Sequence, residues 1–219
     1  MALAGALVGQ PATTPDASAA SFSIDLYRPG VYAMQATWSW CTAASVQIIR
    51  NIARGESDHS AARQGAYFDF MHARNRYVMA PKEGVDPKGF VAGLREFVDA
   101  RYALVGSTTY ENAVRSAVRR LRESRLPVAL IVDRGRHAWV MTGFTATADP
   151  TAAANFRVIS LRIVGPLYGR QSTNGYDPPP NTSLSAGALR RYLTPYDFKF
   201  GPTPWDDRFV TFQAIPPAG

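Results

Sequence analysis

The sequence predicts an α+β domain in which helices come first and strands second. Three observations carry that prediction. In the first half, apolar residues recur at three- and four-residue steps, as at Phe90, Leu94 and Phe97 and again at Val118 and Leu121. After Leu126 the runs become short, rich in Val, Ile and aromatic residues, and bounded by turn formers. The chain has 219 residues, of which 46% are apolar and 19% charged, so it can build one ordinary core and lacks the composition of a disordered protein. Helices gathered ahead of strands mark a segregated α+β domain, whereas an alternating order would indicate a parallel α/β sheet.

The elements follow in order. Residues 1–21 open on MALAGALVGQPATTPDASAA, which is small, Ala-rich and almost uncharged. Ala2–Gly9 resembles the end of a secretory hydrophobic region, and Ala17-Ser18-Ala19 would suit cleavage, but no positively charged stretch precedes them. This segment is expected to be a signal-peptide remnant, which implies a secreted or cell-envelope protein, or else a disordered tail on a cytoplasmic one. Residues 22–219 are expected to form a single domain, with no repeat or linker to divide them. Met34–Arg50 begins with aromatic and small residues and then turns helical, since no Pro or Gly follows Cys41 until Gly55. Ala61–Ala73 and Pro87–Arg101 read as two further helices, the second introduced by Asp86-Pro87 as N-cap and first helical residue. Glu111–Glu123 is a fourth. Strands are expected at Leu126–Val132, Ala138–Phe144, Phe156–Val164 and Arg208–Ile215, with a long loop around Pro178–Pro180 and a short helix at Ala186–Tyr192.

Several function classes are disfavoured. Lys and Arg number 24 against 17 Asp and Glu, a net charge of +7 that could draw nucleic acid or an anionic surface. The densest run, Arg115–Arg125, interleaves Val118 and Leu121 at helical spacing and reads as a solvated helix face. Without a recognisable nucleic-acid motif, no specific nucleic-acid partner is expected. No apolar stretch reaches about 18 residues, so no membrane span is expected. One cysteine excludes an internal disulfide and a Cys-cluster zinc site. Glu83–Asp86 lacks the alternating oxygen ligands of a calcium loop, no phosphate-cradling Gly-rich loop occurs, and the adjacent Asp206 and Asp207 diverge. No metal or cofactor is expected, and nothing specifies the oligomeric state.

The segment from Gln35 to Ser45, QATWSWCTAAS, can do chemistry. It places Cys41 where an aromatic-rich loop enters a helix, and the free N–H groups of a helix start stabilise a thiolate. A free cysteine can equally be a small buried hydrophobe. Gln35, six residues earlier, can supply a side-chain N–H toward the same point as the Cys41 N–H, and two such donors form an oxyanion hole. His137 opens a predicted strand after a Gly-containing turn and could act as general base and acid for the thiol. His59 and His72 sit among charged residues and read as surface histidines. Trp38, Trp40 and Trp139 flank these positions and would wall the site, Trp40 and Trp139 being the expected substrate contacts.

Together, the Gln35-to-Cys41 spacing, the run Cys41-Thr-Ala-Ala-Ser45 and the strand beginning His137-Ala-Trp-Val resemble the papain-like cysteine peptidases, and more narrowly the bacterial C39-like group. The resemblance spans roughly Gln35–Gly169. It implies a helical half carrying the nucleophile packed on an antiparallel sheet half carrying the histidine, with a peptide or protein substrate in the cleft between them. It also implies an orienting Asn or Asp at the end of the next strand, in C39-like members an Asp directly before Pro. Gly165 stands there instead, ahead of Pro166. Asp149, before Pro150, or Asn155 could substitute from the connecting loop, although Asp149 also suits a simple turn. Two readings result. One is a cysteine peptidase or amidohydrolase using Cys41, His137, Gln35 and Asp149; the other is an impaired papain-like module with a binding or scaffold role.

Overall fold

Among the described residues, 21–77, 84–170, 177–197 and 202–217 of a computed structural model, seven strands pair antiparallel in one sheet. The expected leader or tail therefore lies outside the described residues apart from residue 21. The elements are β1 (Phe22–Asp25), α1 (Cys41–Arg54), α2 (Ala61–His72), α3 (Pro87–Phe97), β2 (Tyr102–Ser107), α4 (Tyr110–Ser124), β3 (Val128–Val132), β4 (His137–Ala146), β5 (Val158–Val164), β6 (Thr182–Ser185), α5 (Ala186–Leu189) and β7 (Phe209–Ala214). The sheet order is β2-β7-β3-β4-β5-β6, with β1 also paired to β4. No helix among the described residues is long and apolar enough to cross a membrane.

The α+β class holds, but the segregation is incomplete. β1 precedes every helix and β2 separates α3 from α4. The helix expected to reach Arg101 stops at Phe97, because Asp99 Oδ1 accepts from the Arg101 N–H in a local turn that competes with the helix. That turn releases Tyr102 into β2, where its buried hydroxyl donates to the Pro127 carbonyl at 2.7 Å. β6 emerges from the segment read as a long loop, and the short helix is confined to Ala186–Leu189.

The sheet also has helices on both faces, where the sequence suggested one helical half against one sheet half. α1, α2 and α3 share a core with Ala129, Ile131, Ala138, Val140, Val210 and Phe212. α4 and Leu189 of α5 share a second core with Val128, Leu130, Val132, Trp139, Met141 and Ile163. The alternation of β3 and β4 residues between the two cores is the two-residue period of a strand. It also explains why all five β3 residues are buried, as expected for a strand covered on both faces.

β4 is the axis of the fold. β5 lies along one edge, while β3 and then β1 succeed each other along the other. The close approach of β1 requires Gly143, since a Cβ there would stand 2.3 Å from the Ile24 carbonyl oxygen. α1 packs against Ala138 and Val140 of this strand, and its residues 42–49 are all buried. Cys41, the first residue of α1, and His137, the first of β4, thus open two of the most enclosed elements of the molecule.

Candidate active site

The site grows from the start of α1. Trp40 occupies the N-cap and gives no side-chain cap, so the first-turn N–H groups that a helix cannot satisfy internally remain directed at the space beside Cys41. The loop before Cys41 is held by a buried chain of glutamines. Gln64 Nε2 donates to the Met34 carbonyl and to Gln47 Oε1, while Gln64 Oε1 accepts from the Ala36 N–H. Gln35 is fully buried, and its Nε2 donates to the carbonyls of Thr37 at 2.8 Å and Trp38 at 3.1 Å. In this arrangement the Gln35 amide donors fix the loop before Cys41 instead of standing free as the expected oxyanion donor. The same loop is tied to the segment after β5, since the Gln35 N–H donates to the Pro166 carbonyl and Arg170 Nη1 donates to the carbonyls of Gln35 and Ala36.

His137 faces this loop from the start of β4. Its side chain is 11% exposed, and its Nε2 lies 3.0 and 3.1 Å from the two carboxylate oxygens of Asp177. Asp177 has a fully buried side chain and two further donors: Trp139 Nε1 on Oδ1 at 2.7 Å and the Leu167 N–H on Oδ2 at 2.6 Å. A buried carboxylate met by three donors is a satisfied one. Burial alone would lower the basicity of His137, but hydrogen bonds to Asp177 and to the Cys41 thiol outweigh it and raise the imidazole to about 10. The structure therefore joins His137 to Asp177, with Cys41 near enough for its thiol to favour the imidazolium.

The carboxylate beside His137 is Asp177 and not Asp149, the position expected from the sequence. Asp149 does not approach His137. Its carboxylate holds Arg122 and caps the Thr151 turn, and these bonds, the Thr151 N–H first and then Arg122, lower it to about 2. Asn155 lies in an exposed loop. Gly165 explains how Asp177 can enter. A Cβ at Gly165 would stand 2.3 Å from Asp177 Cγ and 2.5 Å from Oδ2, so the missing side chain is the space the carboxylate fills. The sequence held one usable signal. Asp177 directly precedes Pro178, the dipeptide expected at the end of β5, carried instead by a later loop.

The tryptophans divide differently from expectation. Trp139 belongs to the site, although it is 1% exposed and acts through its bond to Asp177. Trp40 stacks on Phe68 of α2 with ring centres 5.6 Å apart, and it packs with the helical core. Trp38, 59% exposed and with the Arg170 guanidinium 4.9 Å from its ring centre, is the tryptophan that walls the open cleft. That cleft, about 370 Å³, has His137, Asp177 and Trp139 among its lining and Trp38, Leu167 and Tyr192 around them. His59 is exposed and bonds the Gly30 carbonyl; His72 is half-buried and stacked on Phe68.

No protein-family model matches the chain, and no curated protein matches it. A solved structure described as the crystal structure of UfSP from C. elegans is similar over 84% of this chain, at 13% identity and a TM-score of 0.46. The aligned region is 32% of that structure's chain, so this protein spans about a third of its length.

Proposed function

We propose that this chain is a papain-like cysteine peptidase or amidohydrolase. The observation that carries the reading is the position of His137, which opens β4, the strand that α1 packs on, and meets through Nε2 a buried carboxylate that occupies the space left by Gly165. A cysteine nucleophile needs a base within reach, and that base needs a partner to fix its ring; the three residue types here meet both needs. The narrower likeness to C39-like peptidases is part of this proposal. It rests on the Gln35–Cys41 spacing and the His137-Ala-Trp-Val strand, with the acid displaced to Asp177. The scaffold alternative leaned on Gly165, and a carboxylate held against His137 in the space beside Gly165 favours the enzyme reading.

The chemistry follows from these placements. Cys41 gives its proton to His137, and its sulfur attacks the substrate carbonyl carbon. The Cys41 N–H, at the start of α1, meets the developing oxyanion. Asp177 accepts from Nε2, which leaves the other ring nitrogen for the sulfur side and stabilises the imidazolium. His137 then protonates the leaving amine as the carbon–nitrogen bond breaks and a thioester forms. Water attacks the thioester with His137 as base, which returns the thiol and releases the acid. Gln35 acts by holding the nucleophile loop.

Cys41 is the only thiol in the chain, so its alkylation is an unambiguous test. Labelling by iodoacetamide should stay fast well below pH 8, and should slow sharply in His137→Ala and in Asp177→Asn. A rate that rises only near the ordinary thiol pKa of about 8.5, in all three proteins alike, would overturn the proposal.

A further inference from the structure

Two arginines border the cleft that the proposed reaction does not use. Arg136 immediately precedes His137, and Arg191 follows α5; both line the same cavity as His137 and Asp177 and both are exposed. Neither forms a side-chain ion pair among the described residues, whereas the neighbouring Arg134 is paired with Asp197. A third cation, Arg170, lies over Trp38 on the wall. The opposing charge is small. Asp177 is buried against His137, which leaves Asp133 as the one outer carboxylate in the lining. Trp38 and Tyr192 supply aromatic surface beside the guanidinium groups.

We infer that this cleft selects peptide substrates bearing a carboxylate close to the scissile bond, held by Arg136 and Arg191. The inference rests on the proposed thiol chemistry at Cys41. A guanidinium presents a rigid fork of N–H donors matched to a carboxylate, and two of them at a half-enclosed, aromatic-walled cleft favour an anionic group over its neutral amide. The carboxylate can belong to an acidic side chain or to a peptide C-terminus. Both present the same chemistry to the arginines.

The test compares iodoacetate with iodoacetamide on the intact chain. Each reagent forms a sulfur–carbon bond at Cys41 and expels iodide, and they differ in one carrying a carboxylate. The iodoacetate-to-iodoacetamide rate ratio should fall about threefold in Arg136→Gln or Arg191→Gln and roughly tenfold in the double variant, and it should fall in the wild type as salt rises. Protection of Cys41 from iodoacetamide identifies the source of the carboxylate. Ac-Ala-Glu-Ala amide protecting better than Ac-Ala-Gln-Ala amide assigns it to a side chain; Ac-Ala-Ala-Ala free acid protecting better than its amide assigns it to a terminus. A ratio unchanged in the double variant, with both reagents still fast at neutral pH, overturns the inference and leaves the nucleophile standing. So does the absence of any preference for either acid over its neutral counterpart. Slow labelling by both reagents in the wild type overturns the underlying function instead.

Discussion

Replacing Gly165 by alanine isolates the space that admits Asp177. The backbone at Gly165 is outside the positive-φ region, so alanine brings only its methyl group. That carbon would meet Asp177 Cγ at 2.3 Å, against 3.4–4 Å for ordinary contact, so the carboxylate must retreat by about 1 Å or more. A bond from His137 Nε2 now at 3.0 Å then stretches to about 4 Å, beyond hydrogen-bonding range. Trp139 Nε1 and the Leu167 N–H lose their acceptor in the same movement. Charge-assisted hydrogen bonds contribute about 1.5–3 kcal/mol each, so a loss of roughly 3 kcal/mol in stability is expected after partial rearrangement. The retreat also frees the His137 ring from the carboxylate that orients it, so iodoacetamide labelling at pH 6 should slow by about tenfold or more, a conservative share of the loss that follows removal of an orienting acid in a triad. The assay is the labelling rate across pH 5–9, with circular dichroism to show that the variant is folded. Gly165→Asp combined with Asp177→Gly returns a carboxylate to the end of β5 and should recover much of the rate. A folded Gly165→Ala protein that labels at pH 6 like the wild type would show that the space at Gly165 does not govern the thiol's reactivity.

Two further outcomes are expected. In a Cys41→Ala background, which removes the thiol's own titration, the bond to Asp177 still pulls His137 upward against the lowering effect of burial. A carboxylate that favours the native imidazolium makes stability fall more steeply with rising pH, so between about pH 6 and 8 urea-derived stability should decline more, or rise less, in Cys41→Ala than in Cys41→Ala with Asp177→Asn, the two slopes differing by at most about 1.4 kcal/mol per pH unit. Trp38 and Trp40 should separate by phenotype: Trp40→Ala costs about 2–3 kcal/mol by denaturant titration and leaves the labelling pH profile in place, while Trp38→Ala does little to stability and changes reagent or peptide access to Cys41.

Much of the fold could be read locally. Asp86 caps α3 as its position before Pro87 suggested, with the Gly89 N–H donating to its carboxylate at 2.7 Å. β3, β4, β5 and β7 fall where period and composition placed them, to within a few residues. The strands that escaped notice, β1 and β6, are four residues each, too short to show a period, and β2 begins beside a helix end set by the turn at Asp99. In the site, Cys41 and His137 were legible because each begins an element, so the local pattern fixed its address. Asp177 begins nothing. Its address is set by the empty position at Gly165 and by donors from β4 and the segment after β5, none of which adjoins it in sequence. Gln35 shows the converse: a suggestive spacing does not determine a side chain's partners, and its amide turned to the nearest carbonyls.

The dispersal of the group along the chain has a kinetic meaning. His137 and Asp177 are 40 residues apart, and Cys41 lies farther still from either, so no fragment assembled from neighbours in sequence contains the arrangement. Contacts of such separation form only after long loops have closed, a slow step compared with helix formation. During refolding, a collapsed intermediate with α1 already formed would still carry an unassisted sulfhydryl. The appearance of rapid thiol modification at mildly acidic pH would then time-stamp the docking of Asp177 against His137. The single sulfur would serve as a clock for the closing of those long loops.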